Sequence, residues 1–269
     1  MNDLIEQAAS DLLESRYAIV LTGAGMSTES GIPDFRGPKG VWSSDREAEA
    51  RAYERYSLFL RDPVSYWEEV LGRKGTHGAF YSTVRRAEPN PGHYALAELE
   101  RLGVVKWLIT QNIDGLHRRA GSVNVTEYHG TVHKLRCPAC GSRRPLEDAA
   151  PENLPPHCGC GRAMKYDVVH FNEPIPPDVM SEAEEQALKC DLMLVCGTSA
   201  VVYPFADLPR AAKLGRAEVK VIEVNAEPTQ LTQEGLSDYH IRGKTGEVLP
   251  GIVEALRKRS RGPGSSLPE

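Results

Sequence analysis

The run Tyr17-Ala18-Ile19-Val20-Leu21-Thr22-Gly23-Ala24-Gly25-Met26-Ser27 joins a short apolar segment directly to a pair of glycines. Its first six residues, mostly apolar and with β-branched members, read as a parallel strand buried on both faces. The glycines let backbone amides come close to a phosphate, and a helix start just beyond them favours negative charge. The pattern stops short of the full G-x-G-x-x-G, because Thr28 stands three residues after Gly25. A tight structural turn therefore remains open as an alternative.

Similar apolar runs recur at Val104–Ile109, Val123–Glu127, Leu192–Cys196 and Val219–Val224. Between and around them lie helical patterns: Leu4–Leu13, Gly92–Glu100 after Pro91, Asp178–Leu188 after Pro177, Pro204–Leu214 and Thr245–Leu256. Strands alternating with helices predict an α/β fold, a doubly wound parallel sheet with ligands at the carboxyl ends of its strands. Two stretches break the alternation. Residues 37–91 look helical and carry no clear strand, and residues 133–170 hold a cysteine cluster. The expected organisation is a sheet domain of 1–36, 92–132 and 171–258, with 37–91 and 133–170 as inserted modules of a smaller domain and 259–269 as a flexible polar tail.

Composition agrees. The chain has 269 residues, 41% hydrophobic and 26% charged, with a formal net charge of −5, as in soluble globular proteins. No run approaches the ~20 apolar residues of a membrane span. The start, Met1-Asn2-Asp3-Leu4-Ile5-Glu6, has acids where an export signal has bases, so a cytoplasmic location is expected. The acidic balance gives no reason to expect direct nucleic-acid binding.

Cys137-Pro-Ala-Cys140 and Cys158-Gly-Cys160, seventeen residues apart, have the spacing of paired zinc knuckles, and four thiolates with no open position mean a structural ion. The second pair is C-x-C, and His157 is an alternative to Cys158 as ligand. Cys190 and Cys196 flank an apolar run and read as core residues.

Three other segments carry polar chemistry. In Ser30-Gly-Ile-Pro-Asp-Phe-Arg-Gly37, Arg36 suits a phosphate and Phe35 a ring to be shielded from water, while an Asp34–Arg36 surface ion pair is the plainer alternative. Gln111, Asn112 and Asp114 follow a strand end, where they suit ribose hydroxyls or an amide-bearing ring, or else cap a helix. His129 also follows a strand end, is suited to take a proton near neutral pH, and has Gly130 beside it to leave room for a substrate.

Together these segments resemble the sirtuin family of NAD-dependent protein deacylases. The resemblance rests on Gly23-Ala-Gly-Met-Ser-Thr-Glu-Ser-Gly-Ile-Pro-Asp-Phe-Arg-Gly37, Thr110-Gln-Asn-Ile-Asp114, His129-Gly130, the paired cysteines, Asp167-Val-Val-His-Phe-Asn-Glu-Pro174, Gly197-Thr-Ser199 and Val224-Asn-Ala-Glu227. They occur in family order over roughly residues 15–250. The resemblance implies a Rossmann-like large domain and a small domain of zinc and helical modules, with an acyl-lysine peptide in the cleft between them.

It also implies site residues. NAD, consumed as a co-substrate, would contact Gly23, Ala24, Gly25, Ser27, Asp34, Phe35, Arg36, Gln111, Asn112, Ile113, Asp114, His129, Gly197, Thr198, Ser199, Asn225, Glu227 and Thr245. His129 would be the general base and Asn112 its catalytic companion. Val169, His170, Phe171, Asn172 and Glu173 would hold the peptide, and Cys137, Cys140, Cys158 and Cys160 the zinc ion. The implied products are nicotinamide, deacetylated lysine and O-acetyl-ADP-ribose.

Asn172 stands where the family usually has Gly. Val70 and Arg73 stand where members that prefer acidic acyl groups have a Tyr and an Arg, so a deacetylase, or a deacylase for neutral acyl groups, is expected. Mono-ADP-ribosyl transfer or NAD hydrolysis at the same site is the nearest enzymatic alternative. A non-catalytic zinc- and nucleotide-binding interaction module is the alternative of another class.

Overall fold

The computed structural model describes residues 1–37, 40–72, 77–148 and 154–260. Arg73 and residues 261–269 of the tail lie outside the described residues. The predicted strands appear as β1 (Ala18–Thr22), β2 (Val105–Thr110), β3 (Val125–Glu127), β7 (Leu192–Cys196) and β8 (Lys220–Asn225). Three strands lie between β3 and β7: β4 (Gly130–Arg136), β5 (Arg143–Pro145) and β6 (Lys165–Val168). A last strand, β9 (Tyr239–Arg242), was not expected; only Ile241 of it is buried, so it has no apolar run to announce it.

The main sheet has the order β3-β2-β1-β7-β8-β9, parallel throughout. Chain direction across the sheet reverses between β1 and β7, which opens a crevice at their carboxyl ends. Alternate side chains of each strand enter opposite cores. Val20 of β1 with Leu192 and Leu194 of β7 face one way; Ile19 and Leu21 with Met193 and Val195 face the other.

The first core is closed by α1 (Asn2–Glu14), by α6 (Pro91–Arg101) and by α11 (Thr245–Ser260), through Leu12, Leu96, Leu99, Leu249 and Ile252. The second is closed by α8 (Pro177–Lys189) and α9 (Leu208–Gly215). The helix expected from Pro204 starts later as α9, after a 3-10 turn over Phe205–Asp207, because Pro209 sets its first turn. Pro250 sits inside α11 without ending it.

The described residues between 37 and 90 form four helices: α2 (Val41–Ser44), α3 (Arg46–Arg61), α4 (Pro63–Val70) and α5 (His77–Arg86). They pack on the antiparallel sheet β5-β4-β6, burying Phe59, Tyr66, Trp67, Tyr81 and Val84 against Val132, Leu135, Tyr166 and Val168. Two segments distant in sequence thus share one core. The remaining short helices are α7 (Leu116–Arg119) and α10 (Gln230–Gln233).

Candidate active site

The crevice between β1 and β7 requires close backbone packing. Gly25 N–H donates to the Gly197 carbonyl at 2.7 Å, and a Cβ on Gly25 would stand 2.8 Å from that oxygen. Ala24–Ser30 then forms a 3-10 helix, not an α-helix, ended by Gly31 in the left-handed region.

At the end of β2, Asn112 N–H donates to Thr110 Oγ1 at 3.0 Å, and its side-chain Nδ2 donates to the Gly23 carbonyl at 2.9 Å and to Ser27 Oγ at 3.1 Å. Asp114 accepts from Ser27 Oγ at 2.8 Å and from the N–H of Leu116, the first residue of α7, at 2.9 Å. It ties the helix start to the site, while Gly115 stands at the N-cap. Burial pushes the Asp114 carboxyl above its ordinary value, against the pull of those donors. Gln111 Nε2 donates to Thr198 Oγ1 at 2.8 Å, tying β2 to the turn after β7.

His129 follows β3. Its Nδ1 meets the Gln111 carbonyl at 3.3 Å; a carbonyl only accepts, so Nδ1 carries the proton and Nε2 offers a lone pair. Burial lowers its pKa to about 4, opposed by that carbonyl bond. The ring is neutral at pH 7, with the lone pair a general base needs. Gly130 corrects an expectation. A Cβ there would lie 1.7 Å from the Asp167 carbonyl, and its φ is +75°. The glycine makes room for β6, not for a substrate.

After β6 the chain runs through Val169, whose N–H donates to the His129 carbonyl at 2.9 Å. Asn172 sits at φ 64°. Asn is among the few side chains at ease in the left-handed region, which explains how it serves where Gly is usual. Glu173 is anchored: it accepts from His170 N–H at 3.0 Å and Arg136 at 2.6 Å, and pairs with buried Lys165 at 2.9 Å.

These segments surround one cavity of about 1100 Å³. Every residue expected to touch NAD or peptide lines it, except Gly23, which contributes its carbonyl to Asn112 from behind. Asp34 caps Gly37 N–H, while the Arg36 guanidinium lies 4.4 Å from the centre of the Trp42 ring. Trp42 also packs against Phe35 and Phe171, at 5.0 and 5.7 Å between ring centres. Sequence reading missed Trp42, along with Ile32, Ala52 and Tyr81, which line the same apolar end. Trp42, Ala52 and Tyr81 lie in the 37–91 stretch, read only as helical, and Ile32 in a motif read for its polar neighbours. Val70, at the end of α4, is fully buried in core and presents nothing polar. Among the buried cavity-lining groups without a hydrogen-bond partner are Asn225 Nδ2 and Thr245 Oγ1.

The four expected cysteines converge, with sulfur atoms of Cys137 and Cys160, and of Cys140 and Cys158, 3.6 Å apart. A tetrahedral Zn–S length of about 2.3 Å places sulfurs roughly 3.8 Å apart, so the cluster fits zinc and uses Cys158. His157 instead makes a backbone bridge with Ala163. Cys190 and Cys196 are fully buried, as expected.

The pattern that defines the Sir2 family matches residues 23–204. The NAD-dependent protein deacylase 2 of Pyrobaculum aerophilum is 46% identical over 254 residues, covering 94% of this chain and 96% of its own. A Sir2 homologue solved with NAD is 41% identical, with a TM-score of 0.77 and coverage of 96% and 94%. A mutant Sir2 homologue holding 2′-O-acetyl ADP ribose is 40% identical, with a TM-score of 0.78 and coverage of 98% and 99%. The chain belongs to the Sir2 family.

Proposed function

We propose that the protein is an NAD-dependent protein lysine deacetylase, yielding nicotinamide, deacetylated lysine and O-acetyl-ADP-ribose. The observation that carries this reading is one cavity holding both a neutral His129, with its lone pair on Nε2, and the linked trio Asn112, Asp114 and Ser27. NAD supplies the ribose carbon that loses nicotinamide and takes the acetyl oxygen. Asn112, Ile113, Asp114 and Ser27 hold the nicotinamide end, and Gln111, Asn225 and Thr245 the rest of the dinucleotide. The unpartnered Asn225 and Thr245 are suited to a polar ligand. His129 takes a ribose hydroxyl proton, so that the sugar oxygen attacks the acyl carbon. Phe35, Trp42 and Phe171 keep water from the reacting centre.

The acyl-lysine peptide adds to the edge strand β6 and Val169–Glu173, since β6 lies at one end of its sheet. The four cysteines hold one structural zinc ion. The expected division into a sheet domain and a small domain of two inserted modules is supported by the shared core of α3–α5 and β4–β6. Among the described residues no helix is long and apolar enough to cross a membrane. A cytoplasmic setting is supported by six free cysteines.

The test is acetyl-lysine peptide plus NAD, followed by mass spectrometry. Loss of acetyl with equimolar nicotinamide and O-acetyl-ADP-ribose is expected, and His129→Ala should lower the rate about 100-fold or more. NAD breakdown with no loss of acetyl from any peptide would instead favour the hydrolase reading.

A further inference from the structure

Two histidines take no part in the chemistry above. His93, in the first turn of α6, and His117, in α7, are 0% and 2% exposed, with ring centres 4.8 Å apart. Each has one nitrogen without a partner, His93 Nε2 and His117 Nδ1. Buried polar groups are rarely left so, and two orphans on adjacent rings call for one explanation.

Their neighbours fix where the protons sit. Asn90 N–H donates to His93 Nδ1 at 3.2 Å, so Nδ1 is a lone pair and the proton is on Nε2. His117 Nε2 lies 2.9 Å from Thr22 Oγ1, which lies 2.8 Å from Thr110 Oγ1. Two proton orders satisfy these hydroxyls. If Thr110 donates to Thr22 and Thr22 to His117, the His117 proton is on Nδ1. Two buried donors on neighbouring rings then have no acceptor. If His117 donates to Thr22 and Thr22 to Thr110, His117 Nδ1 is a bare lone pair opposite the His93 donor. Only the second order makes the orphans complementary.

We infer that His93 and His117 are both neutral Nε2–H tautomers, joined by an Nε2–H···Nδ1 hydrogen bond, and that they are positioning residues for Asn112. At this spacing a change of ring tilt brings the two nitrogens within hydrogen-bond length. Every proton in the chain then points one way, from Asn90 through His93, His117 and Thr22 to Thr110, which also accepts from Asn112 N–H. Both ends grip the same 3-10 turn. Asn90 Nδ2 donates to the Met26 carbonyl at 2.8 Å and to Ser30 Oγ at 3.1 Å, and Asn112 Nδ2 to Gly23 and Ser27. The result is a closed ring of hydrogen bonds around that turn, and it sets where the Asn112 carboxamide stands.

The kinetic consequence rests on the deacetylase reading; the proton order does not. In the wild-type protein, ¹⁵N spectra of the imidazoles should show protonated Nε2 and bare Nδ1 on both rings, with coupling between His93 Nε2 and His117 Nδ1. A proton on His117 Nδ1 would overturn the inference. His93→Phe removes the acceptor and the donor, and should lower kcat for nicotinamide release by about tenfold or more with little change in peptide KM. His93→Gln can accept from Asn90 and donate to His117, and should restore kcat to within roughly threefold. Equal impairment by Phe and Gln would reduce the role to packing and overturn the positioning claim. Should His93→Phe fail to fold, the spectra and the Gln variant still decide. Absence of any NAD-dependent acetyl loss in the wild type would count against the deacetylase reading alone, and leave the spectra to judge the proton order.

Discussion

His129 is neutral over most of the working pH range because its partly buried ring loses hydration on folding, and the bond to Gln111 fixes which nitrogen is free. The base form exists above its pKa. kcat/KM should therefore stay level as pH falls from 8 to about 5 and drop with an apparent pKa near 4. A pH–rate profile that breaks near the ordinary histidine value would refute this. Asn172 offers a second check, on backbone strain. Asn172→Gly should be tolerated, whereas Asn172→Val, β-branched at φ 64°, should cost about 1–2 kcal/mol and loosen peptide binding, read by denaturation and peptide affinity. The residues that line the candidate site were legible in sequence wherever a short motif follows an apolar strand, as with Asn112 and His129. Trp42 was not, because its place beside Phe35 and Phe171 depends on how α2 packs against the loop after β6. His93 and His117 were illegible for the same kind of reason: sequence separates two rings that the fold stacks.

The link from the small sheet to the loop proposed to hold the peptide is a buried ion cluster. Arg136 of β4 pairs with Asp167 of β6 at 2.8 Å and with Glu173 at 2.6 Å, while Lys165 of β6 is 0% exposed and pairs with Glu173. Burial lowers the Lys165 pKa to about 8, against the attraction of Glu173. Lys165→Met leaves a carboxylate short of one cation. It should cost on the order of 3 kcal/mol in denaturant titration and raise peptide KM more than NAD KM. Equal effects on both constants would mean that the cluster supports the whole molecule and not the loop in particular. Elements with a continuous apolar run or a helical face were readable in advance, including β1, β7, α1 and α6. The edge strand β9 and the late start of α9 were not, since neighbours and a single proline decided them.

At the scale of the whole molecule, metal and pH should act on stability by separate routes. Freshly purified protein should hold about one zinc equivalent, and stripping it should unfold the β4–β6 sheet and lower the midpoint of thermal unfolding by roughly 10 °C or more. Metal analysis with calorimetry before and after chelation checks this. Burial depresses the pKa of His93 to about 4 and that of His117 well below its ordinary value. The unfolded chain then binds more protons than the folded one below about pH 6.5. These rings contribute stability that is complete above that pH and lost on acidification, by up to about 1.4 kcal/mol per pH unit for each ring in that window. Thermal midpoints measured between pH 7.5 and 4.5 should fall accordingly, and a flat profile would contradict the neutral pair.

If the peptide pairs with the edge strand β6 as proposed, a further consequence follows for which lysines the protein can serve. A partner held there is gripped by main-chain amides and carbonyls common to nearly every residue, so its side-chain identity counts for little. What counts is whether the chain around the lysine can be drawn out straight. Lysines inside stable helices, whose amides are already engaged, are closed to it until they unwind, whereas those on tails and loose connections are open. The choice of target would then be delegated to the local order of the target itself.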